Sequence, residues 1–99
     1  MKTYKPKILI TGSSSGIGFF LAKEFSKKNY HVIINGRNKK KLILASKSIE
    51  DSDYIHGDMS KLNIIRKNIN KLYKKYKSLD VIIANIGNSN YFKNNTNID

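Results

Sequence analysis

At 99 residues the chain is long enough for one domain or part of one. A chain of that size buries about 60–65% of its unfolded surface. It contains no cysteine, which excludes a disulfide framework and a thiolate metal site. Its formal net charge of +12 raises the question of a nucleic-acid partner, but the lysines run from Lys2 to Lys93 without forming a block. A Lys/Asn/Ile-rich chain of this kind uses lysine as solvated helix surface. Nucleic-acid binding is therefore the weakest reading, and the charge is better suited to drawing in a polyanionic ligand.

Further classes fall away on local grounds. His31 and His56 stand far apart with no acidic cluster beside them, so no metal site is expected. No apolar run approaches 18 residues, so no membrane contact is expected. The apolar segment after the basic N-terminus spans about four residues, too short for a signal peptide. A cytoplasmic location is expected.

In chain order, Lys7-Ile8-Leu9-Ile10-Thr11 reads as a strand buried on both faces, because the run does not alternate. Gly12-Ser13-Ser14-Ser15-Gly16-Ile17-Gly18 then turns the chain into a helix from Gly16 to about Lys28. Ile17, Phe20, Leu21 and Phe25 form its apolar stripe, and Asn29 is its stop. A second strand runs from His31, read as a surface residue, to Asn35. After Gly36-Arg37-Asn38, a helix from Lys39 to about Lys47 carries Leu42, Ile43 and Ala45. The lysines at its start are mildly disfavoured by the helix dipole, a penalty that a nearby anion would remove.

Asp53 to Gly57 reads as a short third strand, and Asp58-Met59 leads to Ser60, the expected N-cap of the next helix. In that helix Leu62, Ile65, Ile69, Leu72, Tyr73 and Tyr76 recur at helical spacing. Leu79 to Asn85 is a fourth strand with an apolar centre from Val81 to Ala84, and Gly87 ends it. Residues 88–99 are asparagine-rich and read as a loose tail. Strands alternating with helices predict an α/β, Rossmann-like three-layer fold. The expected sheet is truncated, with four parallel strands in the order 3-2-1-4, three helices and a ligand site at the carboxyl ends of the strands. Residues 1–99 would form one incomplete nucleotide-binding portion.

The turn after the first strand carries the chemistry. Amide hydrogens at a helix start have no intrahelical acceptor, and the helix dipole adds partial positive charge there. Glycines at 12, 16 and 18 let an anion approach that backbone, and the hydroxyls of Ser13, Ser14 and Ser15 can donate to phosphate oxygens. Standing alone, the stretch reads as well as an ordinary strand-to-helix turn. Its spacing, T-G-x-x-x-G-x-G, departs from G-x-G-x-x-G, and no Lys-Ser or Lys-Thr follows, which excludes a Walker-type loop. At the end of the second strand a carboxylate would accept from an adenosine 2′-hydroxyl and repel a 2′-phosphate. Arg37 stands there instead and can pair a 2′-phosphate through its planar fork, which favours NADP over NAD. The plain alternative is a solvated arginine in a turn.

Thr11-Gly12-x-x-x-Gly16-Ile17-Gly18, Asn35-Gly36-Arg37, Gly57-Asp58-Met59 and Ala84-Asn85-Ile86-Gly87 follow successive strands. In that order and spacing they resemble the short-chain dehydrogenase/reductase family over essentially the whole chain, which corresponds to the N-terminal 40% or so of a typical member. The resemblance implies that Gly12, Ser13, Ser14, Ser15, Gly16, Ile17 and Gly18 surround the diphosphate and adenosine ribose of NADP(H). Arg37 would meet the 2′-phosphate. Asp58 would accept from the adenine amino group with the Met59 backbone beside it, although an exposed strand-end carboxylate is the simpler account of Asp58. Asn85, Ile86 and Gly87 would line the cofactor and steady the sheet, with Ile86 standing where the family usually has alanine.

The resemblance also implies hydride transfer between the nicotinamide and a carbonyl or alcohol, with a serine, a tyrosine and a lysine that follow a fifth strand. No residue here is assigned to catalysis. Tyr73-Lys74-Lys75-Tyr76-Lys77 satisfies Tyr-x-x-x-Lys, but it precedes the fourth strand, and Tyr73 is expected to pack against the sheet. The leading expectation is an NADP-binding N-terminal segment of a short-chain oxidoreductase, which would meet a small substrate only in a longer form. A non-catalytic nucleotide-binding module, or a gene fragment without turnover, is the alternative. An exposed outer edge on the fourth strand and a helix left alone on its face lead us to expect marginal stability and self-association.

Overall fold

The computed structural model describes residues 4–85. The expectations for Ile86, Gly87 and the tail from 88 to 99 fall outside the described residues. Seven elements follow one another: β1 (Lys7–Ile10), α1 (Gly16–Lys27), β2 (His31–Gly36), α2 (Lys39–Lys47), β3 (Ser52–His56), α3 (Leu62–Tyr76) and β4 (Val81–Ile83). The four strands form one parallel sheet in the order β3-β2-β1-β4, as the alternation predicted. No helix among the described residues is long and apolar enough to cross a membrane.

Strand β1 explains the layering. Its side chains alternate between faces, and both faces are covered, so Ile8, Leu9 and Ile10 are all fully buried. Ile8 and Ile10, with Val32 and Ile34, face Ala22 of α1 and Leu42 and Ala45 of α2. Leu9 and Ile33, with Ile55, face the other way, toward Leu72 of α3. The result is the three-layer arrangement of a Rossmann-like fold. At the amino end of β1 the Asp80 carboxylate gathers three contacts: the Tyr4 hydroxyl donates to both of its oxygens (2.7 and 2.6 Å) and the Lys7 amide donates at 2.8 Å.

Several local expectations are corrected by packing. Ile17 (73% exposed) and Phe20 (61%) lie on the open side of α1, whereas Gly18 and Ala22 are its buried residues. Small residues allow the helix backbone its closest approach to the sheet, and that contact, rather than the largest apolar side chains, sets the rotation. The N-cap of α3 is Lys61; Ser60 instead donates its amide and hydroxyl to Asp58 Oδ1 (3.1 and 2.7 Å) in the turn before the helix. Tyr73 is 43% exposed, and it is Tyr76 that packs against the core on the α3 side. Ile82 and Leu62 are also substantially exposed.

His31, read from the sequence as a surface residue, is part-buried with both ring nitrogens engaged. Its Nδ1 lies 3.0 Å from Asp51 Oδ1 and its Nε2 lies 3.0 Å from the Tyr76 hydroxyl. That hydroxyl donates to Asp53 Oδ2 at 2.5 Å, where Lys75 Nζ also donates at 2.7 Å. Burial pushes the Asp53 carboxyl up, but Lys75, the Tyr76 hydroxyl and the Tyr54 amide together hold it below the ordinary aspartate range. Burial, reinforced by the same carboxylate, pushes the Tyr76 hydroxyl well above its ordinary value of 10.0.

Because the folded Asp53 value is depressed, its contribution to stability is present above the ordinary aspartate pKa and is lost as pH falls through the folded value. For Tyr76 the folded value is raised, so its contribution is present below pH 10 and is lost as pH rises above that. Asp53→Asn should therefore flatten the acid limb of a pH–stability curve below about pH 4. Urea midpoints followed by circular dichroism from pH 7 to pH 3 would show this, and an acid limb identical to that of the parent chain would refute it.

Candidate functional site

The carboxyl ends of β1, β2 and β3 bring most of the candidate residues to one edge of the sheet. The turn between β1 and α1 is held from behind by buried polar groups, because a buried amide or hydroxyl must find a partner. Asn35, 2% exposed near the end of β2, is the centre of that brace. Its Oδ1 accepts from the Gly12 amide at 3.1 Å, and its Nδ2 donates to the carbonyls of Ile55 (3.0 Å) and Gly57 (3.1 Å). One side chain thus ties the glycine-rich turn to the ends of β2 and β3.

Asn85 clamps the turn from the other side. Its Nδ2 donates to the Gly12 carbonyl at 2.9 Å, and its amide donates to Thr11 Oγ1 at 2.9 Å. Both contacts are to the turn that follows β1.

Ser13 departs from expectation. It is fully buried, its hydroxyl donates to the Ile10 carbonyl at 2.6 Å and accepts from the Asn35 amide at 2.9 Å, and its own amide donates to the Asn35 carbonyl at 2.7 Å. Ser13 therefore holds the turn together and has no donor left for a phosphate. Ser14 and Ser15 stay at the surface of the recess described below. Ser15 is the N-cap of α1 in an extended conformation and makes no side-chain cap bond, so it does not cover the first amides of the helix.

Gly16 and Gly18 answer different demands of the geometry. Gly16 has φ +64°, and a Cβ there would meet nothing within 4 Å: the position opens onto free space at the start of α1. Gly18 serves close approach. A Cβ there would run into the Gly12 carbonyl oxygen and lie 2.7 Å from Asn85 Nδ2 and 2.9 Å from Ser13 Cα. Ile17 stands between them with its side chain exposed.

Beside this turn lies an open recess of about 460 Å³ lined by Ser14, Ser15, Arg37, Asn38 and Lys41. Arg37 projects from the loop after β2, and its carbonyl is fixed by His56 Nε2 at 2.8 Å. The Asn38 side chain caps α2 by accepting from the Lys41 amide at 3.1 Å. Among the described residues neither Arg37 nor Lys41 is paired with a carboxylate.

At the end of β3, the Ser60 hydroxyl and amide hold the Asp58 carboxyl below its ordinary range, assisted at longer reach by Arg37 and Lys61. Asp58 is thus an anion with one oxygen engaged by Ser60. The Met59 sulfur lies 3.4 Å from Asn68 Nδ2, which also donates to the His56 carbonyl at 3.2 Å.

The residues fit a dinucleotide. A glycine-faced helix start without a side-chain cap, a cationic recess beside it and an acceptor at the next strand end are the parts a diphosphate, a phosphorylated ribose and an adenine amino group require. In the sequence Asn35 stood out only as part of the Asn35-Gly36-Arg37 motif and Lys41 only as one of three lysines opening a helix; neither was named as a site residue. A polar side chain inside an otherwise apolar buried strand was the available signal for Asn35, since such a group must be fully bonded.

A parallel sheet with a glycine-rich turn after its first strand defines the class: half of a dinucleotide-binding α/β fold. A family model described as short chain dehydrogenase matches residues 6–98, and the chain belongs to that family. Over 79 residues it is 38% identical to a 3-oxoacyl-(acyl-carrier-protein) reductase of Rickettsia typhi, covering 80% of this chain and 32% of that protein. A crystal structure of a short chain dehydrogenase from Bacillus anthracis superposes with a TM-score of 0.76 at 33% identity, covering 82% of this chain and 34% of that one. The structure of ElxO with NADP bound gives a TM-score of 0.75 at 36% identity, covering 87% of this chain and 36% of ElxO. The chain thus spans about a third of the length of each of these three relatives.

Proposed function

We propose that the chain is the NADP(H)-binding N-terminal segment of a short-chain oxidoreductase. The observation that carries this reading is the placement of the Arg37 recess directly beside the uncapped start of α1, where Gly16 leaves open space. In this reading the backbone from Ser14 to Gly18 takes the diphosphate and the adenosine ribose, and Arg37 takes the 2′-phosphate. Asp58 and the Met59 backbone take the adenine amino group. Gly12, Ser13 and Asn85 act from behind by fixing the turn, and Ile86 and Gly87 keep the lining role that the family resemblance implies. ElxO, a relative with NADP bound, supports the choice of NADP.

When bound, the nicotinamide would supply hydride to, or take it from, a carbonyl or alcohol. That activity and its small-molecule substrate are proposed for the longer architecture that the relatives share. Residues 1–99 contribute cofactor binding to it, as an incomplete cofactor domain, and no side chain here is assigned as its acid or base. The outer edge of β4 has no strand partner among the described residues, and Ile82 is 48% exposed beside it, which supports self-association of the isolated chain. A cytoplasmic setting is part of the same proposal.

Fluorescence titration of the full chain with NADPH and NADH tests the reading. A charge-assisted pair with phosphate is worth about 1.5–3 kcal/mol, so Arg37→Ala should weaken NADPH binding about 10- to 100-fold and leave NADH binding nearly unchanged. Equal binding of the two cofactors by the parent chain, or an equal loss of both in the variant, would remove the assignment of Arg37 to a 2′-phosphate.

A further inference from the structure

Helix α3 buries an amide among its apolar side chains. Asn68 is 3% exposed and lies one turn from Leu72, the other buried residue of the helix. A buried amide in that setting requires partners. Asn68 Nδ2 donates to the His56 carbonyl at 3.2 Å and lies 3.4 Å from Met59 Sδ. These partners flank Gly57-Asp58: the first is the last carbonyl of β3, and the second belongs to the side chain that follows Asp58. Gly57 permits the approach. Its φ is +149°, and a Cβ there would lie 2.9 Å from Asn68 Nδ2 and 2.8 Å from Ile64 Cγ2. On the β2 side, the Gly57 amide donates to the Gly36 carbonyl at 3.1 Å, and the Gly57 carbonyl accepts from Asn35 Nδ2 at 3.1 Å. Among the described residues Asp58 itself bonds only within its own turn, through its carboxylate to Ser60 and through its carbonyl to the Lys61 amide. Its place relative to the sheet is therefore set by the contacts on either side of it, and Asn68 supplies the hydrogen bond that comes from α3.

We infer that Asn68 is a positioning residue for recognition of the base: by clasping the His56 carbonyl and the Met59 side chain, it holds Asp58 and the Met59 backbone where an adenine amino group can meet them. Asn68 touches no ligand itself. This inference rests on the adenine contact proposed above. A hydrogen bond to a carboxylate depends steeply on distance and angle, so a shift of the strand end weakens it while the phosphate contacts at the other elements persist. The loss expected from Asn68 is therefore a loss of discrimination at the base, which a general loss of stability does not produce.

The test compares NADPH with reduced nicotinamide hypoxanthine dinucleotide phosphate, in which an oxo group replaces the adenine amino group while the diphosphate, both riboses and the 2′-phosphate are kept. Each is titrated by fluorescence into the full 99-residue chain and into Asn68→Leu, Asn68→Ser and Tyr76→Phe. Leucine removes the amide, and serine keeps a hydroxyl on a side chain too short to reach both partners. Tyr76→Phe is the control for stability alone, since it breaks the contacts to His31 and Asp53 at the far end of the same helix. Circular dichroism verifies that each variant is folded.

The parent chain should bind NADPH about tenfold more tightly than the hypoxanthine analogue, as a hydrogen bond to a charged group implies. In Asn68→Leu and Asn68→Ser that ratio should fall to about twofold, chiefly through weaker NADPH binding, and in Tyr76→Phe it should stay at about tenfold. If a folded Asn68 variant keeps the parent ratio, if Tyr76→Phe loses it equally, or if neither Asn68 variant folds, Asn68 is a packing residue and the inference is overturned while the adenine contact stands. If the parent chain binds the two probes alike, or binds neither, the adenine contact itself fails and this inference fails with it.

Discussion

Asn35→Leu should remove most of the cooperative unfolding transition of this chain. Leucine keeps the branched outline with greater bulk and strands three partners, one buried and two at the rim of the turn: the Ile55 carbonyl and the Gly57 carbonyl lose their donor, and the Gly12 amide loses its acceptor. A fully buried polar group left without a partner costs about 1–3 kcal/mol and one that water can reach costs less, so the total for one buried and two part-buried groups reaches about 2–5 kcal/mol. Natural domains are stabilised by about 5–15 kcal/mol, the lower end applying to small ones. Asn35→Asp separates the causes. It keeps an acceptor for Gly12 but sets a carboxylate against two carbonyl oxygens, so it should be as damaging as leucine at pH 7. As the carboxyl protonates and regains a donor, it should recover in part at lower pH. Urea midpoints by circular dichroism at pH 7 and pH 5 would measure both variants. If each lies within about 0.5 kcal/mol of the parent, the side chain is no brace.

Two glycines six residues or fewer from Gly12 should respond in opposite ways. Gly18→Ala drives a methyl group into the Gly12 carbonyl, the Asn85 amide and Ser13 Cα, two of which are main-chain atoms that cannot swing aside. Overpacking of that kind costs about 1–3 kcal/mol and sometimes more. Gly16→Ala has no such collision, since its Cβ would meet nothing within 4 Å, and pays only the cost of a left-handed residue, about 1–2 kcal/mol. Its methyl group, however, enters the space through which the proposed diphosphate approaches. Thermal melts should therefore rank Gly18→Ala as the less stable variant, while NADPH titration should show the greater loss per unit of lost stability in Gly16→Ala. Unaltered NADPH binding by a folded Gly16→Ala chain would show that no ligand comes in over that residue.

Both predictions concern contacts the sequence hides to different degrees. The glycine pattern around positions 12 to 18 is local, and so is the unbroken apolar run of β1, buried on both faces as the run implied. The position of Arg37 was legible for the same reason: it directly follows the second strand, in the loop that the structure places at the recess. Ser13 was misread because three consecutive serines look alike in sequence. Only in space does the first turn inward to bond the Ile10 carbonyl while Ser14 and Ser15 remain at the recess. Tyr73 and Tyr76 share one periodic pattern, and their different fates are decided by the sheet beneath them, which part-buries the second and leaves the first 43% exposed.

The strands, the parallel order of the sheet and the position of the glycine-rich turn were determined by short-range patterning, because apolar periodicity and glycine spacing act within a dozen residues. The tertiary structure alone decided what holds that turn in place. Asn35 meets Gly12 across 23 positions of sequence, Asn85 meets Gly12 across 73, and His31 meets Tyr76 across 45. A hydrogen bond requires proximity and direction in space, and no residue spacing records which distant strand end the chain will bring alongside.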